Sequence, residues 1–200
     1  MDLFSQTTVL SLLPHDGETI YHGPILTRSE ADQYFDTFMA QIAWKHDEAK
    51  IFGKHFITKR MAAWYGDSEF DYTYSKVTKH ALIWTPELLE LKAKVEAISG
   101  DSFNSCLLNL YHDGSEGMGW HSDDEKTLGE EMCIASVSLG AERNFAFKHK
   151  RSKEKVTIFL QHGSLLLMKG ATQKHWLHRL PPTKKVTRPR INLTFRTIMA

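Results

Sequence analysis

The sequence has almost no cysteine. Cys106 and Cys133 are the two cysteines in 200 residues. Both sit in apolar runs, which excludes a disulfide framework and reads as buried, reduced thiols of a cytosolic protein. Nor is there an excess of charge of either sign, with 25 Lys and Arg against 24 Asp and Glu. Net charge therefore neither argues for nor excludes a nucleic-acid partner, and any basic surface has to be local. No apolar run approaches the roughly 18 residues of a membrane span, so no membrane partner is expected. The start, MDLFSQTTVLSLLPHDGE, lacks a basic n-region and a small-residue cleavage site and does not read as a signal peptide. Repeats, low-complexity tracts and long linkers are missing too. What remains is one domain with enough chain for a sizeable core, expected to be a monomer in the cytoplasm, or in the nucleus of a eukaryote.

What the sequence does have is histidine, 11 in all. The stretch Asn109–Glu125, NLYHDGSEGMGWHSDDE, centres on His121-Ser122-Asp123. In extended backbone, residues i and i+2 point to one side, so His121 and Asp123 offer an imidazole and a carboxylate to one point. A second histidine would complete a 2-His-1-carboxylate facial triad, which leaves positions open on a ferrous ion. His162, His175 and His178 are candidates for that third ligand. His175 and His178 are three apart, so in a strand they face opposite ways and at most one reaches the metal; spacing alone leaves the pair even. Near the C-terminus, Arg190-Ile191-Asn192-Leu193-Thr194-Phe195-Arg196 alternates without a break, the pattern of a half-buried strand. Its polar face carries two guanidiniums with an amide and a hydroxyl between them. Arg meets carboxylates through a planar fork, so this face suits a dicarboxylate.

Elsewhere the pattern is architectural. Met1 to Gly23 reads as an irregular arm with a short strand at Ile20–His22. Thr27-Arg28-Ser29-Glu30 has capping-box form, followed by Ala31, Phe35, Phe38, Met39 and Ile42 at helical spacing to about Ala43. Thr85-Pro86-Glu87 opens a second helix with Leu88, Leu91, Val95 and Ile98 as its buried stripe and Gly100 as its stop. From Ser105 onward, seven short β-rich segments follow: Cys106–His112, Cys133–Leu139, Asn144–His149, Val156–Gln161, Ser164–Met168, Trp176–Leu180 and Ile191–Ile198. That spacing predicts a mainly β, antiparallel sandwich or jelly roll with flanking helices. Between the helices, Trp44–Ser75 interleaves aromatic and basic residues, a composition suited to nucleic acid because bases stack on rings while phosphates meet Lys and Arg. Lys148–Lys155 and Lys184–Arg188 are basic stretches that could clamp phosphates.

Taken together, NxYxxG…WHxDDE, HWxHxLP and RxNLTFR resemble the AlkB-type Fe(II)- and 2-oxoglutarate-dependent dioxygenases, over about Ile51 to Ile198. The resemblance implies a double-stranded β-helix, with residues 1–104 supplying helices and a nucleotide-recognition lid and 105–200 the catalytic jelly roll. It implies Fe(II) on His121, Asp123 and His178, with 2-oxoglutarate and O2 as co-substrates. Arg190 with Tyr111 would hold the distal carboxylate of 2-oxoglutarate, and Arg196 with Asn109 its chelating end, with Asn192 and Thr194 on the same polar face. Ile51-Phe52-Gly53-Lys54 is similar to the wedge that the duplex-repairing branch pushes into the base stack. Tyr72-Thr73-Tyr74 would line the base pocket, Tyr74 stacking on the flipped base opposite His121. Arg60 would meet a phosphate, and Asp124 and Glu125 would favour a cationic base. The implied activity is oxidative demethylation of N-alkylated bases of the 1-methyladenine and 3-methylcytosine type in DNA, single- or double-stranded. Formaldehyde is released and 2-oxoglutarate becomes succinate. The alternatives are a same-fold oxygenase acting on RNA or protein, and a binder of alkylated DNA without turnover.

Overall fold

The computed structural model describes residues 11–51, 54–68, 71–74, 77–124 and 132–199; side chains are described for these except at 47–51, 54–56, 71–74 and 77–79. At its centre is β14 (Arg190–Arg196), the alternating segment, which lies between β7 (Ser105–Tyr111) and β9 (Ile134–Gly140), antiparallel to both. The sheet continues outward through β12 (Ser164–Lys169) to β1 (Glu18–Pro24) on one side. On the other it runs through β3 (Lys54–Gly66) to β2 (Lys45–Ile51), with the short β6 (Leu82–Ile83) parallel to β3. Strands from before residue 104 thus form both flanks of the large sheet.

The alternation of β14 divides the molecule. Ile191, Leu193 and Phe195 join Cys106, Leu108, Leu110, Ala135, Val137 and Leu139 in one buried layer. Two helices cover it. In α1 (Arg28–Gln41) the box is formed: Thr27 accepts from the Glu30 amide, and Glu30 accepts from the Thr27 amide. In α2 (Pro86–Ser99), Thr85 caps the start and Gly100 ends it in the left-handed region at φ 74°. Each large side chain withdrawn here stabilises the fold by about 1.5–3 kcal/mol. The stripes differ from the sequence reading at two places. Ile98 is 40% exposed and Ser99 is buried in its stead. At 3.6 residues per turn Ile98 falls about 80° from Leu88, whereas Ser99 returns to within about 20°. By the same rotation Met39 is exposed in α1 and Tyr34 is buried.

The opposite face of the large sheet looks toward a second sheet of order β11 (Lys155–Leu160), β10 (Arg143–His149), β13 (Trp176–Leu180), β8 (Met118–His121). Ile134, Leu166 and Met168 from one sheet pack with Phe147, Leu160 and Trp176 from the other, and Leu13 of the N-terminal arm closes the end. Away from this apolar end the facing surfaces turn polar, and there the candidate site lies. A separate hairpin, β4 (Asp71–Tyr74) with β5 (Val77–His80), stands apart from both sheets. A short helix, α3 (Thr172–His175), precedes β13.

Candidate metal centre and co-substrate cavity

Strand register brings the two histidines together. His121 ends β8 and stands directly opposite His178 of β13. Their Nε2 atoms are 3.1 Å apart. Two nitrogens bound at right angles, each about 2.1 Å from one ion, are separated by about 3.0 Å. Asp123 follows two residues after His121, with Oδ2 3.8 Å from His178 Nε2 and Oδ1 4.0 Å from His121 Nε2. These residues form one of two His/carboxylate groups, among the described residues, that could hold a metal ion.

The surroundings fix protonation. His121 Nδ1 lies 2.9 Å from the Gly119 carbonyl, so the proton sits on Nδ1 and the Nε2 lone pair faces inward. His178 is buried, and burial pushes its pKa down to about 3, keeping it neutral and able to ligate. Its Nδ1 has no hydrogen-bond partner. Packing holds the ring instead: Phe145 stacks on it at 5.5 Å and Phe147 meets it edge-on at 6.3 Å. Burial raises the Asp123 pKa, but Arg196, His178 and His121 outweigh this and hold the carboxyl below its usual range. Arg196 Nη2 is 3.1 Å from Asp123 Oδ1. The Asp123 amide donates to Gln173 Oε1 at 3.0 Å, anchoring the turn after β8 to α3.

Beside the triad runs the polar face of β14. Asn192 is flanked across the strands by Asn109 and Ser138, and Arg190 by Tyr111 and Gly140. Arg190 Nη2 donates to Ser138 Oγ at 2.9 Å and to Asn192 Oδ1 at 2.8 Å. Ser136 donates to Asn192 Oδ1, and Asn192 Nδ2 donates to Thr194 Oγ1. The Arg190 guanidinium lies 5.6 Å from the Tyr111 ring centroid. It is 2% exposed, and among the described residues no carboxylate pairs with it. Its Nε has no acceptor. Burial pushes its pKa down to about 10. A buried cation without a counter-charge is costly unless a ligand supplies one.

A family model described as the 2OG-Fe(II) oxygenase superfamily matches residues 17–196. The chain belongs to that superfamily. Its similar curated relatives include the human DNA oxidative demethylase ALKBH2, 40% identical over 86% of this chain and 70% of that protein. Bovine ALKBH2 is 40% identical over 86% of this chain and 66% of its own length. The bovine alpha-ketoglutarate-dependent dioxygenase alkB homolog 3 is 42% identical over 84% and 62%. The chain thus spans somewhat less than two thirds of the first two bovine relatives it matches. A solved structure of OsALKBH1 superposes with a TM-score of 0.60 at 15% identity, over 90% of this chain and 97% of that one, and supports the jelly-roll fold.

A 2OG-Fe(II) oxygenase uses Fe(II), 2-oxoglutarate and O2, and the donor set here fits the first two. Two imidazoles and a carboxylate suit Fe(II). The unpaired guanidinium of Arg190 and its free Nε suit a carboxylate of the keto acid. His175, the other candidate ligand, lies at the end of α3 rather than in the strand, with its ring 6.3 Å from His149. Arg60, read from the sequence as a phosphate contact, turns inward and donates to Asn109 Oδ1. Asp124 is exposed at the rim, 3.5 Å from Lys150. Phe52, Gly53 and Glu125 lie outside the described residues. Lys54 belongs to β3 and Tyr72, Thr73 and Tyr74 to β4, but their side chains also lie outside them.

Several lining residues escaped the sequence reading. Ser136 and Ser138 were signalled by small polar residues at alternate positions of an apolar strand, IASVSLG. Gln173 and Phe145 carried no local signal. Arg143 is buried and donates to the carbonyls of Asp113, Gly114, Glu116 and Pro181, fastening the loop before β8. Gly114 lets that loop approach closely, since a Cβ there would stand 2.3 Å from the Thr183 carbonyl.

Proposed function

We propose that this protein oxidatively demethylates N-alkylated bases in DNA, of the 1-methyladenine and 3-methylcytosine type. The observation that carries the reading is a His/Asp/His triad with an ionised Asp123 beside the polar face of β14, on which Arg190 is buried with no carboxylate partner among the described residues. A protein that only bound alkylated DNA would need neither. The names of the ALKBH2 relatives, DNA oxidative demethylases, support the choice of substrate.

Fe(II) and 2-oxoglutarate, with O2, supply oxidation of the N-methyl carbon coupled to decarboxylation of the keto acid to succinate. The protein's own part is placement. His121 and His178 Nε2 and the Asp123 carboxylate would hold the metal. Arg196 keeps Asp123 ionised and fixed. Arg190, oriented by Ser138 and Asn192, would fix the far carboxylate of the keto acid, with Tyr111 bordering that position, and Asn109 with Arg196 would lie toward its chelating end. The His121 side chain is 35% exposed, so the site opens to solvent on the side where a base would enter. Asp124, exposed at that rim, offers negative charge to a cationic methylated base. Phe52 and Tyr74 are assigned to base extrusion and stacking on sequence grounds.

The test is formaldehyde release from methylated oligonucleotides with Fe(II) and 2-oxoglutarate. Release from 1-methyladenine in DNA, in step with succinate and abolished by His121→Ala, is expected. Release only from methylated RNA or peptide would move the protein to another substrate class. Binding without release would leave a non-catalytic binder.

A further inference from the structure

The second His/carboxylate group lies on the N-terminal arm, away from the triad. His15 Nδ1 is 3.2 Å from Asp16 Oδ2, and His149 Nε2 is 3.4 Å from the same oxygen. The three ligand atoms lie within 4.8 Å of one another. His149 is 4% exposed, and its Nε2, aimed at this cluster, makes no hydrogen bond. A buried imidazole nitrogen that faces a carboxylate at 3.4 Å without hydrogen-bonding it costs about 1–3 kcal/mol, and an ion between the two would satisfy both.

The two separations from Asp16 Oδ2 are those of a tetrahedral ion. Ligands about 2.0–2.1 Å from a zinc ion at tetrahedral angles stand about 3.3 Å apart. The outer contacts are also those of a metal site. His15 Nε2 lies 3.1 Å from Glu154 Oε2, a carboxylate that accepts a hydrogen bond from Nε2–H in the tautomer that leaves Nδ1 free to ligate. His149 Nδ1 lies 2.9 Å from Ser152 Oγ, which accepts its proton in the tautomer that frees Nε2. The Ser152 amide donates to the same Nδ1 at 3.0 Å, the tautomer with the proton on Nε2; ligation by Nε2 moves that proton to Nδ1 and exchanges the amide hydrogen bond for one to the Ser152 hydroxyl. Asp16, at the surface, has a left-handed backbone at φ 53°. The His15 carbonyl accepts from Trp176 Nε1 at 2.9 Å, which fixes the arm against the first residue of β13.

We propose that His15, Asp16 and His149 form a second metal site, distinct from the iron site, for a borderline divalent ion such as Zn(II), with water in its open position. Imidazole and carboxylate donors in tetrahedral array are what such an ion selects. Bound there, the ion joins the arm to the end of β10 and the turn that follows it. It thereby braces the start of β13, the strand that carries His178.

The experiment uses the full chain with its iron site disabled by His121→Ala and His178→Ala, so that it does not depend on the catalytic reading. Co(II) serves as a spectroscopic probe and Zn(II) as its competitor. One equivalent of Co(II) is expected, with the intense visible absorption of a tetrahedral ion, displaced by one equivalent of Zn(II). Adding His15→Ala should remove it; this side chain is 41% exposed, so its loss leaves the core intact. Adding Glu154→Gln should weaken binding by about 10-fold, the usual effect of losing a partner behind a ligand. Zn(II) should raise the thermal midpoint of the disabled protein but not that of the His15→Ala form. No uptake of either ion, octahedral Co(II) alone, or uptake unchanged by His15→Ala would overturn the proposal.

Discussion

Replacing Arg190 with Met separates a binding residue from a structural one. The guanidinium is 2% exposed, and burial lowers its pKa from 12.5 to about 10. At 1.36 kcal/mol per pH unit that corresponds to about 3 kcal/mol, an order-of-magnitude measure of what burial costs the charge. Met has similar length and no charge, so Arg190→Met removes this cost. It also removes donors to Ser138 and Asn192, a loss of about 1 kcal/mol each. The metal-free, ligand-free variant should therefore be as stable as the parent or more stable by about 1–2 kcal/mol. Affinity for 2-oxoglutarate should fall by at least about 2 kcal/mol, roughly 30-fold, because a carboxylate loses its buried partner. Urea unfolding gives the first quantity, and calorimetric titration of 2-oxoglutarate with Mn(II) in the metal site gives the second. A variant destabilised by more than about 2 kcal/mol that binds 2-oxoglutarate normally would refute the reasoning and make Arg190 a structural residue.

Three further outcomes are expected. Burial holds the His178 pKa near 3 against an ordinary value of 6.5, so between those values the unfolded chain carries the extra proton. Its contribution to stability is thus complete above 6.5 and lost as pH falls toward 3, at up to about 1.4 kcal/mol per pH unit. His178→Gln should flatten that slope in urea unfolding of the metal-free protein; an unchanged slope would contradict the burial argument. Gly114→Val drives a side chain into the Thr183 and Val186 carbonyls and should cost about 1–3 kcal/mol in thermal unfolding. Phe52→Ala should lower demethylation of duplex more than of single-stranded DNA, and equal losses on both would remove the wedge assignment.

How much of this was legible beforehand follows the range of each signal. HxD needed only period-2 geometry, and the alternation of Arg190–Arg196 already separated the core face from the polar one. Capping at Thr27 and Thr85 was equally local. What was hidden depended on pairings distant in sequence. Spacing left His175 and His178 even and only the HWxHxLP resemblance named His178; it meets His121 because β13 pairs with β8, whereas His175 closes a helical turn. Ser138 and Gln173 contact Arg190 and Asp123 from 52 and 50 residues away. Arg60, expected to meet a phosphate, also donates to Asn109 on the neighbouring strand, a pairing no local pattern signals. Met39 and Ile98 were apolar and close to helical spacing, but Met39 falls about 80° from Ala31, and Ile98 lies just beyond Leu91 at the edge of the buried stripe in the last turn of α2. His15 and His149 stood in unrelated stretches of sequence that fold to one place.

The most direct measurement is an anaerobic titration of Fe(II) into the protein with 2-oxoglutarate, following the visible charge-transfer absorption that appears only when a keto acid chelates ferrous ion. One equivalent should develop the band in the parent and in His175→Ala, and none should develop it in His178→Ala. A band that survives His178→Ala, or one lost with His175→Ala alone, would contradict the triad.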